Sequence, residues 1–154
     1  RRQLDQIDSE LAGIENLEDY TIVVLLHHHV FKVSKSDFLK IRWREKSIFG
    51  SILDKSKALV DANMFATWLQ QRHIKYVLHG HKHVPYFMNK NGTYYISAGS
   101  ATGGLKESES HYYSYNVLRY DYMDKKMKTC LIFYDDNKKA ERKRVEVYLM
   151  EEDK

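Results

Sequence analysis

Six of the eight histidines lie in two short clusters, His27-His28-His29 and His79-Gly80-His81-Lys82-His83. Each cluster follows directly after a short apolar run that is typical of a buried strand. Neutral imidazole is the commonest ligand for transition metals in proteins, and loop residues at strand ends are held by a rigid scaffold while they stay open to substrate. A single strand-end histidine is more often a hydrogen-bonded structural residue, but two such clusters together predict a metal site.

The spacing within the second cluster indicates which of its side chains act together. His81 and His83 are two residues apart, and in an extended backbone side chains at that spacing point to the same side. Gly80 allows a tight turn and a close approach of the backbone just before them. We therefore expect His81 and His83 to project together, and His79 would join the same face if the strand stays extended.

Two units, each a helix followed by a strand, precede the histidine clusters. Apolar residues three and four apart predict an amphipathic helix over residues 1–16, and residues 21–26 have the pattern of a strand buried on both faces. A second helix is predicted over residues 61–72, with Asp61 as its N-cap, and a second strand over residues 74–78. After Pro85 the pattern predicts antiparallel strands, over residues 86–88, 93–97, 112–122, 127–134 and 144–150.

Length and composition limit the class of protein. The 154 residues, at 18.3 kDa, predict one domain over residues 1–154. The net charge of +4 gives a nucleic-acid partner little support, and the longest strongly apolar run, six residues at 21–26, is far short of the ~18 needed to span a membrane. Cys130 is the only cysteine, which fits a reducing compartment, so we expect a cytoplasmic protein without a membrane span.

The segments Val-Val-Leu-Leu-His-His and Leu-His-Gly-His-Lys-His resemble the last two motifs of the calcineurin-like metallophosphoesterases. The helices ahead of both motifs and the stretch Tyr95 to Ser100 agree with that family's order of elements, over roughly residues 3 to 134. The resemblance implies an α+β, layered fold: the C-terminal portion of a metallo-dependent phosphatase-like αββα sandwich, with antiparallel strands at its C-terminus. It also implies an enzyme, a dinuclear metal-dependent hydrolase of phosphate esters, either a phosphatase or a phosphodiesterase.

Carried over residue by residue, the resemblance implies that His27 and His81 bind one ion and that His83 binds the other. It gives His28 a catalytic or substrate-contacting role, with simple solvent exposure as an equal alternative. His29 stands where the family usually has proline. The family does not use the histidine before the glycine as a ligand, so the resemblance implies a structural role for His79. Two divalent ions are implied, for which manganese, iron and zinc are all suitable, and manganese is favoured.

The family's other motifs, Asp-x-His, Gly-Asp-x-x-Asp and Gly-Asn-His-Asp, are absent from this sequence. We therefore expect the chain to be the C-terminal half of the domain, with the missing N-terminal half as its partner and a phosphorylated small molecule or phosphodiester as substrate. The isolated fragment is expected to be inactive. A two-metal site must hold its ions ~3.5–4 Å apart, and two histidines on one ion and one on the other cannot fix that geometry. The alternatives are a metal-free or degenerate member that acts as a protein-binding scaffold, and a nuclease. Segment 30–57 has no sustained pattern, and its role is not decoded.

Overall fold

Among the described residues, helices and strands alternate in the first half of the chain, and strands follow one another in the second half. The computed structural model describes residues 2–31, 59–81, 85–99, 112–135 and 140–148. The elements are α1 (Arg2–Ala12), β1 (Val23–Leu25), α2 (Ala62–Gln71), β2 (Tyr76–His79), β3 (Tyr86–Lys90), β4 (Thr93–Ser97), β5 (Tyr112–Asp121), β6 (Lys126–Asp135) and β7 (Ala140–Tyr148). A short 3-10 turn, Leu17–Asp19, leads into β1.

The seven described strands form two sheets. The first has the order β1-β2-β4-β3, in which β1, β2 and β4 run parallel and β3 pairs antiparallel with β4. The second is the antiparallel sheet β5-β6-β7. The layered α+β fold expected from the sequence is confirmed.

The central strands β2 and β4 of the first sheet are buried on both faces, and their side chains alternate between two cores. Tyr76 and Tyr94 face the second sheet, in a cluster with Phe87, Ile96, Met127 and Leu131. Val77 and Tyr95, one residue further along the same strands, face the helices, in a cluster with Val30, Phe65, Trp68, Leu69 and Ile74. This period of two is the pleat of a strand, and each fully buried aliphatic side chain contributes about 1.5–3 kcal/mol.

Helices α1 and α2 are joined through one carboxylate. The indole Nε1 of Trp68 donates a hydrogen bond of 2.8 Å to Oδ1 of Asp8, and the guanidinium of Arg72 forms an ion pair with the same aspartate. Arg72 also lies over the Trp68 ring, 5.0 Å from its centroid. Asp61 occupies the N-cap position of α2 as predicted, but its side chain makes no capping hydrogen bond.

Helix α2 ends in a left-handed turn. The amide of His73 donates to the carbonyl of Gln70 and the amide of Ile74 donates to that of Leu69, the bond pattern of a Schellman motif. The residue in the left-handed position, with φ 52°, is His73. Glycine usually takes this position because any Cβ there is crowded.

Strand β1 differs from the expectation that it is buried on both faces. Leu25, at its end, is 74% exposed, because β1 lies at the edge of the first sheet and, among the described strands, pairs with β2 alone. A run of β-branched residues shows that a segment suits a strand, but it does not show which neighbours cover it. Neither α1 nor α2 is long and apolar enough to cross a membrane.

Candidate metal centre

The parallel pairing of β1 with β2 brings the two histidine clusters together. Leu25 is in register with Leu78, so the carboxyl ends of both strands meet at one edge of the sheet. The pairing continues past the strands, since the amide of Leu26 donates to the carbonyl of Leu78 at 2.8 Å and that of Gly80 to the carbonyl of His27 at 3.2 Å. As a result, Nδ1 of His81 and Nε2 of His27 are 3.0 Å apart.

Three exposed imidazoles form one group at this edge. His27, His28 and His81 each place a ring nitrogen within 4.8 Å of the others. Their ring centroids are 4.3 to 4.9 Å apart, in edge-to-face arrangements. The exposure of all three leaves the group open to an ion and to a substrate from solvent.

The donor set and its spacing suit one transition-metal ion. Two imidazole nitrogens that each bind one ion at ~2.0–2.1 Å lie no more than ~4.2 Å apart. The His27–His81 pair already meets this limit. The widest pair in the group needs a shift of up to about 1.5 Å to reach the ~3.4 Å between tetrahedral ligands, which exposed side chains make by rotation. Nitrogen donors suit zinc and iron better than manganese, which prefers carboxylate oxygen. The preference for manganese gains no support from this group, which contains only histidines among the described residues.

The backbone at His81 differs from the extended conformation expected over residues 81–83. His81 has φ 74°, in the left-handed region, which costs a residue with a Cβ about 1–2 kcal/mol. Gly80, in contrast, is not in that region, and a Cβ added there would meet nothing within 4 Å. Within the part of the chain that the structure describes, no atom makes the close approach expected at Gly80. His83 lies outside the described residues, so its role as ligand of a second ion stays a prediction.

A buried pair of histidines lies beneath the exposed group. His29 and His79 are 1% and 4% exposed, and the ring of His29 is nearly parallel to that of His81, with 6.4 Å between centroids. Nε2 of His79 and the hydroxyl of Tyr86 are joined by a 3.0 Å hydrogen bond. Burial, followed by repulsion from His29, lowers the pKa of His79 to about 4, so it is neutral at pH 7. These contacts agree with a structural role for His79.

His28 lies closer to the ligand group than the sequence analysis anticipated, since its nitrogen belongs to the same group as those of His27 and His81. Neighbouring side chains point to opposite faces only within a strand, and β1 ends at Leu25. Once the chain leaves the strand, adjacent side chains are free to face the same way. This loop path has no periodic signal in the sequence.

The end of β4 ties the second sheet to this edge. The amide of Ala98 donates to the carbonyl of His79 at 2.7 Å, and the side chain of Asn116, on β5, donates to the carbonyl of Ser97 at 3.0 Å. Gly99 follows, packed so closely against Ser114 that a Cβ there would lie 1.7 Å from the serine Oγ. A residue without a Cβ therefore fits best where the two sheets meet.

No family model matches this sequence, and no curated protein matches it. Among solved structures, the chain is similar to Vps29 from Entamoeba histolytica, crystallised with Zn²⁺, at 20% identity over 60% of this chain and 50% of that one, with a TM-score of 0.42. It is also similar to vacuolar protein sorting 29 from Cryptosporidium parvum, at 19% identity over 58% of this chain and 45% of that one, with a TM-score of 0.35. The chain thus spans about half the length of these proteins or slightly less. Likeness at this level carries neither a family nor an activity over to it.

Proposed function

We propose that this chain supplies one side of the metal centre of a metal-dependent phosphoester hydrolase, a phosphatase or phosphodiesterase. The observation that carries the proposal is the convergence of His27, His28 and His81 at the carboxyl edge of two parallel strands. This edge is where open α/β sheets usually bind ligands. The sequence resemblance supplies the reaction class, and the histidine group supplies the chemistry that such a reaction requires.

The three imidazoles have distinct roles in this proposal. His27 and His81 hold one ion, since their nitrogens are already 3.0 Å apart, and His28 is the third donor to the same ion. The alternative is the catalytic role expected for His28. Removal of the His28 side chain weakens metal binding if His28 is a ligand and leaves it unchanged if His28 is only catalytic. A bound divalent ion would lower the pKa of a coordinated water and neutralise phosphate charge.

A nitrogen-only group cannot by itself hold two ions in the geometry of a two-metal centre. Carboxylate ligands from the other half of the domain, together with His83, would complete it. We therefore expect the 154-residue chain to bind metal but not to turn over substrate. The active species would be the parent protein.

Metal binding can be measured on the chain as it stands, by calorimetry and by metal analysis after dialysis against Zn²⁺ or Mn²⁺. We expect about one equivalent of zinc, weaker binding of manganese, and a loss of zinc affinity of more than about tenfold in His27→Ala. His28→Ala should lose affinity to a similar extent if His28 is a ligand. If His28 is only catalytic, zinc affinity should be unchanged.

A matched pair of glycine variants separates metal binding from folding. His81 and His73 both have left-handed backbones, so His81→Gly and His73→Gly should each raise stability by about 1 kcal/mol. Only His81→Gly should lose zinc. Equal zinc affinity in both variants would contradict the proposal, and the absence of metal binding by the wild-type chain would favour a protein-binding scaffold. Rapid hydrolysis of an activated phosphodiester by this chain alone would refute the need for the other half.

A further inference from the structure

A cleft of about 490 Å³ lies at the opposite end of the first sheet from the histidine group. Its walls come from the segment before β1, the turn before β2 and the β5–β6 hairpin. The side chains in the lining that could contact a ring or an anion are Tyr20, Arg72, His73, Lys75 and Lys125. The candidate metal centre follows the other ends of β1 and β2. Since β2 has four residues of ~3.3 Å each, the two places are at least roughly 13 Å apart.

The charge of the cleft favours an anion. Arg72 and Lys75 in the turn before β2 and Lys125 in the β5–β6 hairpin bring three positive charges, and Glu18 brings one negative charge. Asp8 pairs with Arg72, so the formal charges of these described residues, three positive and two negative, sum to +1. The pairing with Asp8 and the contact with Trp68 also hold the guanidinium in place. A concave surface with an excess of one charge raises the local concentration of ions of the opposite sign.

Two further features indicate a planar, phosphorylated ligand. Tyr20 is 64% exposed and lines the cleft, so its ring is available for another ring to stack on. His73 lines the same cleft from a left-handed position that glycine would occupy with less strain. The histidine thus places an imidazole in the cleft at some cost in stability.

We propose that this cleft binds a small phosphorylated molecule with a planar ring, of the mononucleotide class. Its phosphate would lie among His73, Lys75 and Lys125, and its ring would lie against Tyr20. The volume falls within the ~300–1,000 Å³ typical of small-molecule sites, which favours a single nucleotide over a nucleic-acid strand. This inference is independent of the proposed metal centre.

The test is a titration of the full 154-residue chain with adenosine 5′-monophosphate, adenosine or inorganic phosphate, followed by amide chemical shifts. The nucleotide should bind saturably. Adenosine and phosphate alone should each bind at least about fivefold more weakly, since each lacks one of the two contacts. Tyr20→Ala should weaken nucleotide binding and leave phosphate binding unchanged.

Neighbouring lysines supply a matched control. Lys125→Asn should lower nucleotide affinity by about threefold to tenfold, and asparagine tolerates the φ of 50° at that position. Lys126→Asn makes the same change of charge one residue away, at a side chain outside the lining, and should have no effect. His73→Gly should weaken binding although it makes the fold more stable, an opposition that a purely structural residue would not produce.

Three results would overturn the inference. The first is that the nucleotide shows no saturable binding. The second is that the two lysine variants have equal effects on its affinity. The third is that the chain binds a single-stranded oligonucleotide tightly but does not bind the mononucleotide. His81→Gly, which removes a proposed metal ligand, should leave nucleotide binding intact. The failure of one proposal is therefore distinguishable from the failure of the other.

Discussion

Replacement of Gly99 by alanine should weaken the junction between the two sheets. The new Cβ would lie 1.7 Å from Oγ of Ser114, 2.9 Å from its Cβ and 3.1 Å from its carbonyl oxygen. Rotation of the serine side chain relieves only the first of these contacts, because Cβ and the carbonyl oxygen stay where the backbone of β5 puts them. The end of β4 and strand β5 must therefore move apart by some tenths of an ångström.

The size of the effect follows from this geometry. Overpacking of a well-packed region by one methyl group typically costs about 1–3 kcal/mol, and the two residual contacts under 3.4 Å place Gly99→Ala in that range. Gly80→Ala is the matched control, since its Cβ would meet nothing within 4 Å. We expect it to be neutral, or more stable by up to about 1 kcal/mol, because alanine restricts the unfolded chain.

The assay is urea unfolding of both alanine variants, followed by circular dichroism. A double-mutant cycle with Ser114→Gly tests the cause, because that change removes the serine Oγ and Cβ. Gly99→Ala should cost clearly less when Ser114 is already glycine. Equal costs in the two backgrounds, or equal stabilities of Gly99→Ala and Gly80→Ala, would refute the reasoning.

Two further predictions concern the helical layer and the core. Asp8→Ala should lower the free energy of unfolding by about 1–2 kcal/mol, because it removes the acceptor of the Trp68 indole hydrogen bond and the ion-pair partner of Arg72. Thermal unfolding checks this, with Asp5→Ala, a change at an exposed aspartate of the same helix, as the control. Equal effects of the two variants would contradict the prediction. Burial raises the pKa of Tyr95 from 10.0 to about 12, so the folded state binds this proton more tightly than the unfolded state does. The resulting contribution to the free energy of unfolding is fully present below pH 10, and up to about 3 kcal/mol of it is lost as the pH rises to 12. Urea unfolding of the wild type and of Tyr95→Phe at pH 7 and above pH 10 measures this contribution, and the variant should lose less stability at high pH than the wild type. An identical pH dependence in both proteins would show that Tyr95 does not titrate as expected.

Much of the fold could be predicted because the signals are local. The apolar stripe of residues 61–72 locates α2, and the short run before His79 locates β2. The first helix was predicted to reach residue 16 but ends at Ala12, where Gly13 follows and where Asn16 takes a left-handed backbone. Residues that break a helix do so through their backbone conformation, which a count of apolar spacings does not include.

The candidate metal centre was predictable in outline only. That the His27 and His81 clusters each follow a strand is evident from sequence, and parallel strands in register bring such ends together. The shared position of His28 and the turn at His81 were not predictable, because both depend on how the loops leave their strands. The cationic cleft carries still less signal, since its lysines and arginine are ordinary surface residues when they are considered one at a time.

By itself, the sequence determined the approximate positions of the described helices and strands and which histidines follow them, because hydrophobic period and side-chain shape act over a few neighbouring positions. The tertiary structure alone decided that Leu25 is exposed, that three imidazoles share one edge of the sheet, and that basic residues from separate segments line one cleft. Each of these outcomes depends on strand register and loop path. Both are set by contacts between segments far apart in the chain, which no local pattern encodes.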